Sequence, residues 1–193
     1  MINRIPVTDI SPVVYFGGEF LPVKAIPAEV IPISATIFRE GHDLLGAQVI
    51  LFDSQGREIQ RNIMVEKWHG GDQYQGSVTV PAQGDFTYAI ESYDHPFATW
   101  IHDSEIKIPA DIDAELMCTI GKIIFEEKLA EDSSAKNLLS PAIKVLADTS
   151  ISPMNRFSQA TTEEIRSYFQ ANPLRRLVTV TEHYPIRADY QRS

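Results

Sequence analysis

Apolar and polar residues alternate with a period of two along several stretches of the first half of the chain. The alternation is clearest over Ile31, Ile33, Ala35 and Ile37, and strands that bury one face show this pattern. It recurs over residues 47–51, 59–65, 74–80, 86–90 and 104–108. Gly, Asp, Ser and Pro residues lie between these stretches, as they do in turns. The pattern predicts about seven short strands, which is typical of an immunoglobulin-like antiparallel β-sandwich.

A helical period replaces the alternation after Ala110. The apolar positions follow at steps of four, four, three and one: Ile112, Leu116, Ile120, Ile123 and Ile124. They predict one buried face of a helix that residues 131–134 end. Ser140 before Pro141 predicts the start of a second helix. The segment 161–164 resembles a capping box, and Pro173 ends the third predicted helix.

A last strand is predicted over residues 177–180, so strands stand on both sides of the helical segment. The predicted fold class is therefore mainly β with an α insertion: a sandwich plus a small helical bundle. We assign residues 1–110 to a β-sandwich accessory domain, 111–173 to the helical insertion and 174–193 to the returning strand of the sandwich.

The charge of the chain excludes two classes of partner. The formal net charge is −9 at pH 7, and the chain has no run of Lys or Arg beyond the pair Arg175-Arg176. Nucleic-acid binding depends on neutralising phosphates with basic residues, and docking on anionic membranes needs basic residues too. We therefore expect neither nucleic acid nor membrane as a partner, and expect neutral sugars, small molecules or proteins.

Cysteine content and the N-terminus indicate a cytoplasmic protein. Cys118 is the single cysteine, which rules out an intramolecular disulfide and fits a reducing compartment. Pro6 and Asp9 interrupt the N-terminal apolar residues, unlike a signal peptide. We interpret Cys118 as a buried apolar residue rather than a nucleophile.

Few residues are candidates for chemistry. The pairs His42-Asp43 and His102-Asp103 could contribute to a metal site only if the chain bends, because adjacent strand residues point to opposite faces. No motif for a metal, a phosphate or a serine nucleophile occurs in the sequence. We therefore predict no catalytic residues, no metal site and no cofactor in this chain. Polar loop residues that satisfy the backbone are the simpler interpretation of both His-Asp pairs.

Four residues are candidates for contact with a partner. Arg39 and His42 lie around the glycine turn at Gly41, which either connects two strands or presents these two side chains to a partner subunit. Trp100 and His102 belong to an apolar run that indicates core or interface packing.

Two aromatic residues form a candidate sugar platform. Trp68 and Tyr74 lie near the predicted turn at residues 70–72, and exposed rings on a sandwich can stack on sugar faces. The alternative is that Trp68 packs on the edge of the sandwich.

Five segments of the chain resemble one family. They are residues 4–12 (RIPVTDISP), Lys24-Ala25 followed by Glu29-Val30, and residues 38–43 (FREGHD), 96–108 (PFATWIHDSEIKI) and 172–179 (NPLRRLVT). They are similar to segments of the bacterial α-1,4-glucan:maltose-1-phosphate maltosyltransferases of the α-amylase superfamily (glycoside hydrolase family 13). Together they span almost the whole chain.

The resemblance implies a non-catalytic role for this region. In that family the region is a β-sandwich with an inserted helical bundle, takes part in dimerisation and precedes a (β/α)₈ barrel. The barrel carries the aspartate nucleophile and the glutamate acid/base of a retaining transfer from maltose 1-phosphate to an α-1,4-glucan. A barrel needs about 250 residues, so we expect the returning strand to be truncated before it. The implied partners are that barrel and a second subunit.

Two alternatives stay open at this stage. The chain could be an independent glucan-binding module that uses Trp68 and Tyr74, or a free-standing immunoglobulin-like interaction domain.

Overall fold

The computed structural model of the chain describes residues 5–68 and 70–190. Arg4, the first residue of the RIPVTDISP segment, lies outside the described residues, as do His69 beside Trp68 and the end of the predicted 174–193 segment. The chain forms two compact units. The first contains the described residues of 1–41, 45–94 and 177–193, and the second contains 42–44 and 95–176.

Strands build the first unit. In chain order they are β1 (Val7–Ser11), β2 (Val14–Phe16), β3 (Glu19–Leu21), β4 (Val23–Ala25), β5 (Val30–Ile37), β6 (Leu45–Phe52), β7 (Glu58–Glu66), β8 (Gln73–Thr79), β9 (Gly84–Asp94), β10 (Val178–Val180) and β11 (Tyr184–Ala188). The predicted strands over 31–37, 47–51, 59–65, 74–80, 86–90 and 177–180 are confirmed.

One curled, mixed sheet contains most of these strands. Its order is β1-β5-β8-β7-β6-β9-β11-β4, β10 also pairs with β9, and β2 and β3 form a separate hairpin. β7 pairs with β8 only through Val65–Gln75 and Glu66–Tyr74, so the sheet turns at this junction. The prediction of purely antiparallel pairing is wrong, because β4 runs parallel to β11.

The turn in the sheet lets its two halves share one apolar core. Alternate residues of β5 are buried, as the sequence predicts, and they pack in the same cluster as buried residues of β6, β8, β9 and β11. Tyr88 at the centre of β9 is fully buried and donates its hydroxyl hydrogen to the Pro12 carbonyl at 2.8 Å. A buried hydroxyl needs such an acceptor, so this hydrogen bond ties the N-terminal segment to β9.

Helices build the second unit. They are α1 (Pro96–Lys107), α2 (Ala114–Glu131), α3 (Lys136–Ala147), α4 (Pro153–Ala160) and α5 (Glu163–Ala171), with a short 3₁₀ turn at Ser133–Ala135. The predicted strand over residues 104–108 is wrong, since these residues close α1. The buried positions Phe97, Trp100, Ile101 and Ser104 follow helical spacing. The His95 side chain caps this helix, and Pro96 begins it.

Two details of the predicted helices are corrected. The buried face of α2 contains Met117, Cys118, Ile124 and Phe125, whereas Leu116 and Ile123 are exposed. Only one of the five predicted core positions, Ile124, is therefore fully buried.

Pro141 does not begin a helix, because α3 starts five residues earlier at Lys136 and contains it. The start of α5 is confirmed: Thr162 accepts a hydrogen bond from the amide of Ile165, and Asn172 is the C-terminal cap.

Trp100 organises the core of the helical unit. Its indole nitrogen donates to the Met117 carbonyl at 2.7 Å, and its ring packs edge-on against Phe125 and Phe157. A Cβ atom at Gly121 would lie 2.3 Å from Cζ2 of this ring. Glycine is therefore required at this position so that α2 can approach the indole.

Asp132 links the end of α2 to α5. Its carboxylate accepts hydrogen bonds from Ser134 and from the Tyr168 hydroxyl, the latter at 2.6 Å. These hydrogen bonds lower the pKa of Asp132 below its ordinary value of 3.8.

We predict that Gly121→Ala destabilises the helical unit by about 1–3 kcal/mol, because the added methyl group overpacks Trp100. This cost exceeds the gain of roughly 1 kcal/mol in helix propensity. Urea unfolding followed by near-ultraviolet circular dichroism measures the change. Thr119→Ala on the exposed face of α2 is the matched control and should leave stability nearly unchanged. Equal stability of Gly121→Ala and the wild type would contradict the prediction.

We predict that Asp132→Asn lowers stability at pH 7 and has less effect in acid. A lowered pKa in the folded state stabilises the protein above pH 3.8, and this contribution disappears as the pH falls through the lowered value. Thermal unfolding at neutral pH and near pH 2 tests this, with Glu40→Gln in an exposed loop as control. A difference between wild type and Asp132→Asn that grows in acid would rule out the proposed linkage.

Candidate functional site

Trp68 presents its ring at the surface, whereas Tyr74 does not. Trp68 is 51% exposed, and the Lys67 ammonium lies 5.2 Å from its ring centroid. Tyr74 is buried and donates to the Leu45 carbonyl. Burial raises the pKa of Tyr74 to about 12. The structure therefore does not build a platform of two exposed rings from these residues.

The four partner candidates occupy different environments. Arg39 is half-buried and His42 is exposed. Trp100 is 3% exposed, so its ring is inside the helical core and cannot touch a partner. His102 is exposed on α1 and lines a cavity of about 300 Å³ in the helical unit. Arg166 pairs with Glu105 across this cavity at 2.9 Å.

A polar groove crosses the outer face of β1, β5 and β8. Its volume is about 310 Å³. The pairing register sets side chains in rows across the strands: Thr8, Thr36 and Gln73 in one row, Ser11, Ser34 and Gln75 in the next. Asp9 and Lys67 are among the residues that line the groove. This arrangement offers hydroxyl and amide groups, each of which can donate and accept hydrogen bonds.

No pattern in the sequence points to this groove. Its side chains occupy the exposed positions of strands, where polar residues are expected in any soluble sheet. Only the pairing register brings the hydroxyl and amide groups together. Lys67, the residue before Trp68, lines the groove, and so does the strand that contains Tyr74. The two aromatic residues that the sequence indicates as a sugar platform therefore lie at the border of the groove.

The hairpin of β2 and β3 exposes an apolar face. Val14 pairs with Leu21 and Phe16 pairs with Glu19, and Phe16 is 75% exposed. The opposite face holds Phe20, whose ring packs on Tyr184 of the core. Gly17 and Gly18 both have positive φ, which two-residue hairpin turns require.

α2 exposes a second apolar face. Leu116 and Ile123 are 51% and 44% exposed, and Ile120 lies between them on the same face at helical spacing. Lys122 and Glu126 form an ion pair beside these residues at 3.3 Å.

The two buried carboxylates of the described residues, Glu91 and Asp94, serve the structure. Glu91 accepts a hydrogen bond from Arg61 at 2.9 Å. Asp94 accepts from the Leu177 amide at 2.8 Å. Both therefore have the partners that buried charges need, and neither is positioned as an unpaired acid.

In the part of the chain that the structure describes, each carboxyl group whose pKa departs from its ordinary value has a lowered pKa. Hydrogen bonds from Arg57, Arg61 and Ser150 lower the pKa of Asp53, Glu58 and Asp148 respectively. A general acid needs the opposite displacement, toward neutral pH. Burial raises the pKa of the Cys118 thiol, which disfavours the reactive thiolate.

Arg156 is a buried cation whose hydrogen-bond partners give it a structural role. Its guanidinium pairs with Glu115 and donates to the Leu146 carbonyl near the end of α3 at 3.3 Å. A cation at this position satisfies a helix carbonyl that lacks a partner within the helix.

Residues 5–68 and 70–190 contain no group of three or more His, Cys, Asp or Glu residues placed to hold a metal ion. None of the helices described is both long and apolar enough to span a membrane.

Comparison with known proteins identifies the family. The profile described as "Alpha-1,4-glucan:maltose-1-phosphate maltosyltransferase, domain N/S" matches residues 3–190. The chain is 37% and 35% identical to α-1,4-glucan:maltose-1-phosphate maltosyltransferases 2 and 1 of Streptomyces coelicolor, and 32% identical to the Arcanobacterium haemolyticum protein of that name.

These alignments cover the whole chain but only 28–29% of the relatives. The chain therefore spans less than a third of the length of these curated proteins. The match over residues 3–190 nevertheless covers nearly all of its sequence, and the chain belongs to the α-1,4-glucan:maltose-1-phosphate maltosyltransferase family, as its N-terminal N/S region.

Proposed function

We propose that the chain is the non-catalytic accessory region of an enzyme that extends α-1,4-glucans with maltosyl units from maltose 1-phosphate. The observation that carries the proposal is the match of residues 3–190 to the N/S domain of that family. The relatives are more than three times as long as the aligned region, which leaves room for a catalytic barrel of about 250 residues.

The environments of the acidic groups support a non-catalytic role. A retaining transfer needs a carboxylate nucleophile and a second carboxyl group with a raised pKa. Glu91 and Asp94 are instead held by Arg61 and the Leu177 amide.

We also propose that the curled sheet is an immunoglobulin-like sandwich. β1, β5 and β8 would form one layer, and β7, β6, β9, β11 and β4 the other. The common core of these strands supports this assignment, as does the sparse pairing at the β7–β8 junction. The helical unit would be the small bundle inserted into it, with Trp100 at its centre. A cytoplasmic location is consistent with the single buried thiol of Cys118.

The hairpin of β2 and β3 is our proposed contact with the catalytic region. Its exposed Phe16 and Val14 form an apolar surface next to Leu21, and interfaces between domains of one chain resemble protein–protein interfaces. A two-stranded hairpin is marginally stable in water, so a covering surface would also stabilise it.

The exposed face of α2 is our proposed dimer contact. Its occupant would be the same helix of a second copy, since a twofold axis places one patch against itself. The neighbouring Lys122 and Glu126 supply one charge of each sign, so an antiparallel copy could match them.

We predict that the 193-residue chain releases no phosphate from maltose 1-phosphate in the presence of maltohexaose. The Streptomyces coelicolor relative assayed in parallel is the positive control. Phosphate release or chain extension by the isolated chain would refute the accessory assignment.

We predict that the chain dimerises through α2. Sedimentation velocity over a range of concentrations should show a dimer for the wild type and a monomer for Leu116→Lys/Ile123→Lys, because each substitution places a charge in the apolar contact. Ile59→Lys, at an equally exposed apolar position of β7, is the matched control and should still dimerise. A wild type that stays monomeric, or a control that dissociates as well, would contradict this contact.

A further inference from the structure

We propose that the polar groove on the outer face of β1, β5 and β8 is a binding site for a neutral oligosaccharide. Its floor is formed by Thr36 and Gln73 in one row, and by Ser11, Ser34 and Gln75 in the next. The choice of an α-1,4-glucan as the ligand rests on the function proposed above, whereas the groove and its preference for neutral sugars do not.

The groove has a size that suits small ligands. Sites for small molecules have volumes of roughly 300–1,000 Å³, and this groove has about 310 Å³. It is therefore suited to a short stretch of an oligosaccharide rather than to a folded partner.

The floor offers hydrogen-bonding groups that no neighbour uses. Within residues 5–68 and 70–190, the side chains of Ser34, Gln73 and Gln75 make no hydrogen bond. Amides and hydroxyls both donate and accept, and sugar hydroxyls do the same. A polyol can thus form several hydrogen bonds to this face without leaving a charge unpaired.

The charges along the groove favour a neutral ligand. Asp9 and Lys67 contribute one negative and one positive group to the lining, so the lining has no net charge. A phosphorylated ligand would be expected to meet several cationic donors or a bidentate Arg, and Lys67 is the one Lys or Arg in this lining.

Trp68 stands at the edge of the groove. Lys67 lines the groove, and its ammonium lies 5.2 Å from the Trp68 ring centroid. A Cβ atom at Gly71 would lie 1.8 Å from the indole nitrogen, so Gly71 supports one side of the ring. The half-exposed indole can stack on the C–H face of a sugar ring that leaves the groove.

The irregular backbone of the edge strand β1 disfavours a peptide as the ligand of this groove. β1 is the outer strand of this layer, and strand addition needs a regular row of free backbone groups. The pairing of β1 with β5 shifts between Thr8 and Ser11, and Asp9 has φ of 49°. This irregularity breaks the row of groups that an added strand would follow.

Titration of the ¹⁵N-labelled chain with maltoheptaose tests the proposal. The two indole N–H resonances report different places, since Trp100 is buried on the Met117 carbonyl while Trp68 is half exposed. We expect shifts for Trp68 and for backbone amides of β5 and β8, with Trp100 unchanged. Cellohexaose and a flexible Ala/Ser hexapeptide serve as comparison ligands.

Variants locate the binding site. Ser34→Tyr fills the floor with a residue that strands favour and should weaken binding by at least about tenfold, or 1.4 kcal/mol. Gln75→Ala removes one donor and acceptor set and should weaken it less. Gln55→Ala, an exposed glutamine in a distant turn, should bind as the wild type does. The amide spectrum of each variant verifies its fold.

Each outcome of the titration either supports or overturns the proposed oligosaccharide site. Loss of maltoheptaose binding in Ser34→Tyr but not in Gln55→Ala supports the site. No shifts with either maltoheptaose or cellohexaose, shifts that Ser34→Tyr leaves intact, or shifts with the hexapeptide alone would overturn it. Phosphate release tests the accessory assignment separately, so failure of one proposal is distinguishable from failure of the other.

Discussion

The first unit depends on the pairing of one long strand, β9, along both of its edges. β6 pairs with β9 from Leu45–Asp94 to Phe52–Thr87. On the other edge β11 pairs with the first half of β9, and β10 pairs with the second half. Because buried backbone groups must be paired, β9 can be buried along its length only when the C-terminal segment has returned to it.

The same strand explains how the helical unit is accommodated. The Asp94 amide donates to the Leu177 carbonyl, and the Asp94 carboxylate accepts from the Leu177 amide. These two bonds hold the residues before and after the helices together, so both ends of the insertion leave from one point of the sheet. The entropy of closing a loop grows only slowly with its length, and an insertion at this point costs the sheet little.

Alternation in the sequence was sufficient to predict β5 and β8, because each of them buries one face. β6 and β9 were predicted by the same pattern, although residues 47–51 and 88–94 are buried on both faces. It was insufficient for the hairpin, whose strands are three residues long and whose outer face is apolar. Over residues 104–108 the alternation misled, since Ser104 and Ile108 also lie one helical turn apart and both are buried. A period of two over five residues cannot exclude a helix. The longer helical spacing from Phe97 to Ile108 was the stronger signal.

The surfaces of the protein were harder to predict than its elements. Leu116 and Ile123 fit a core pattern, and the sequence alone cannot tell an apolar face that packs in its own unit from one that is free to meet another subunit. The residues of the groove raise the opposite problem. Ser34 and Gln75 are ordinary for an exposed strand, and they acquire meaning only from a pairing register that depends on the whole sheet.

The apolar and polar surfaces should respond differently when a covering partner is absent. An exposed side chain such as Phe16 forgoes roughly 1.5–3 kcal/mol that its burial would contribute, so the hairpin is the part of the first unit whose order depends most on a neighbour. The hydroxyl and amide groups of the groove form hydrogen bonds to water when no ligand covers them, so their exposure costs no free energy. The backbone pairing of β5 with β8 holds them in place. The groove therefore keeps its shape in the isolated chain, because the hydrogen bonds that define it lie within the sheet.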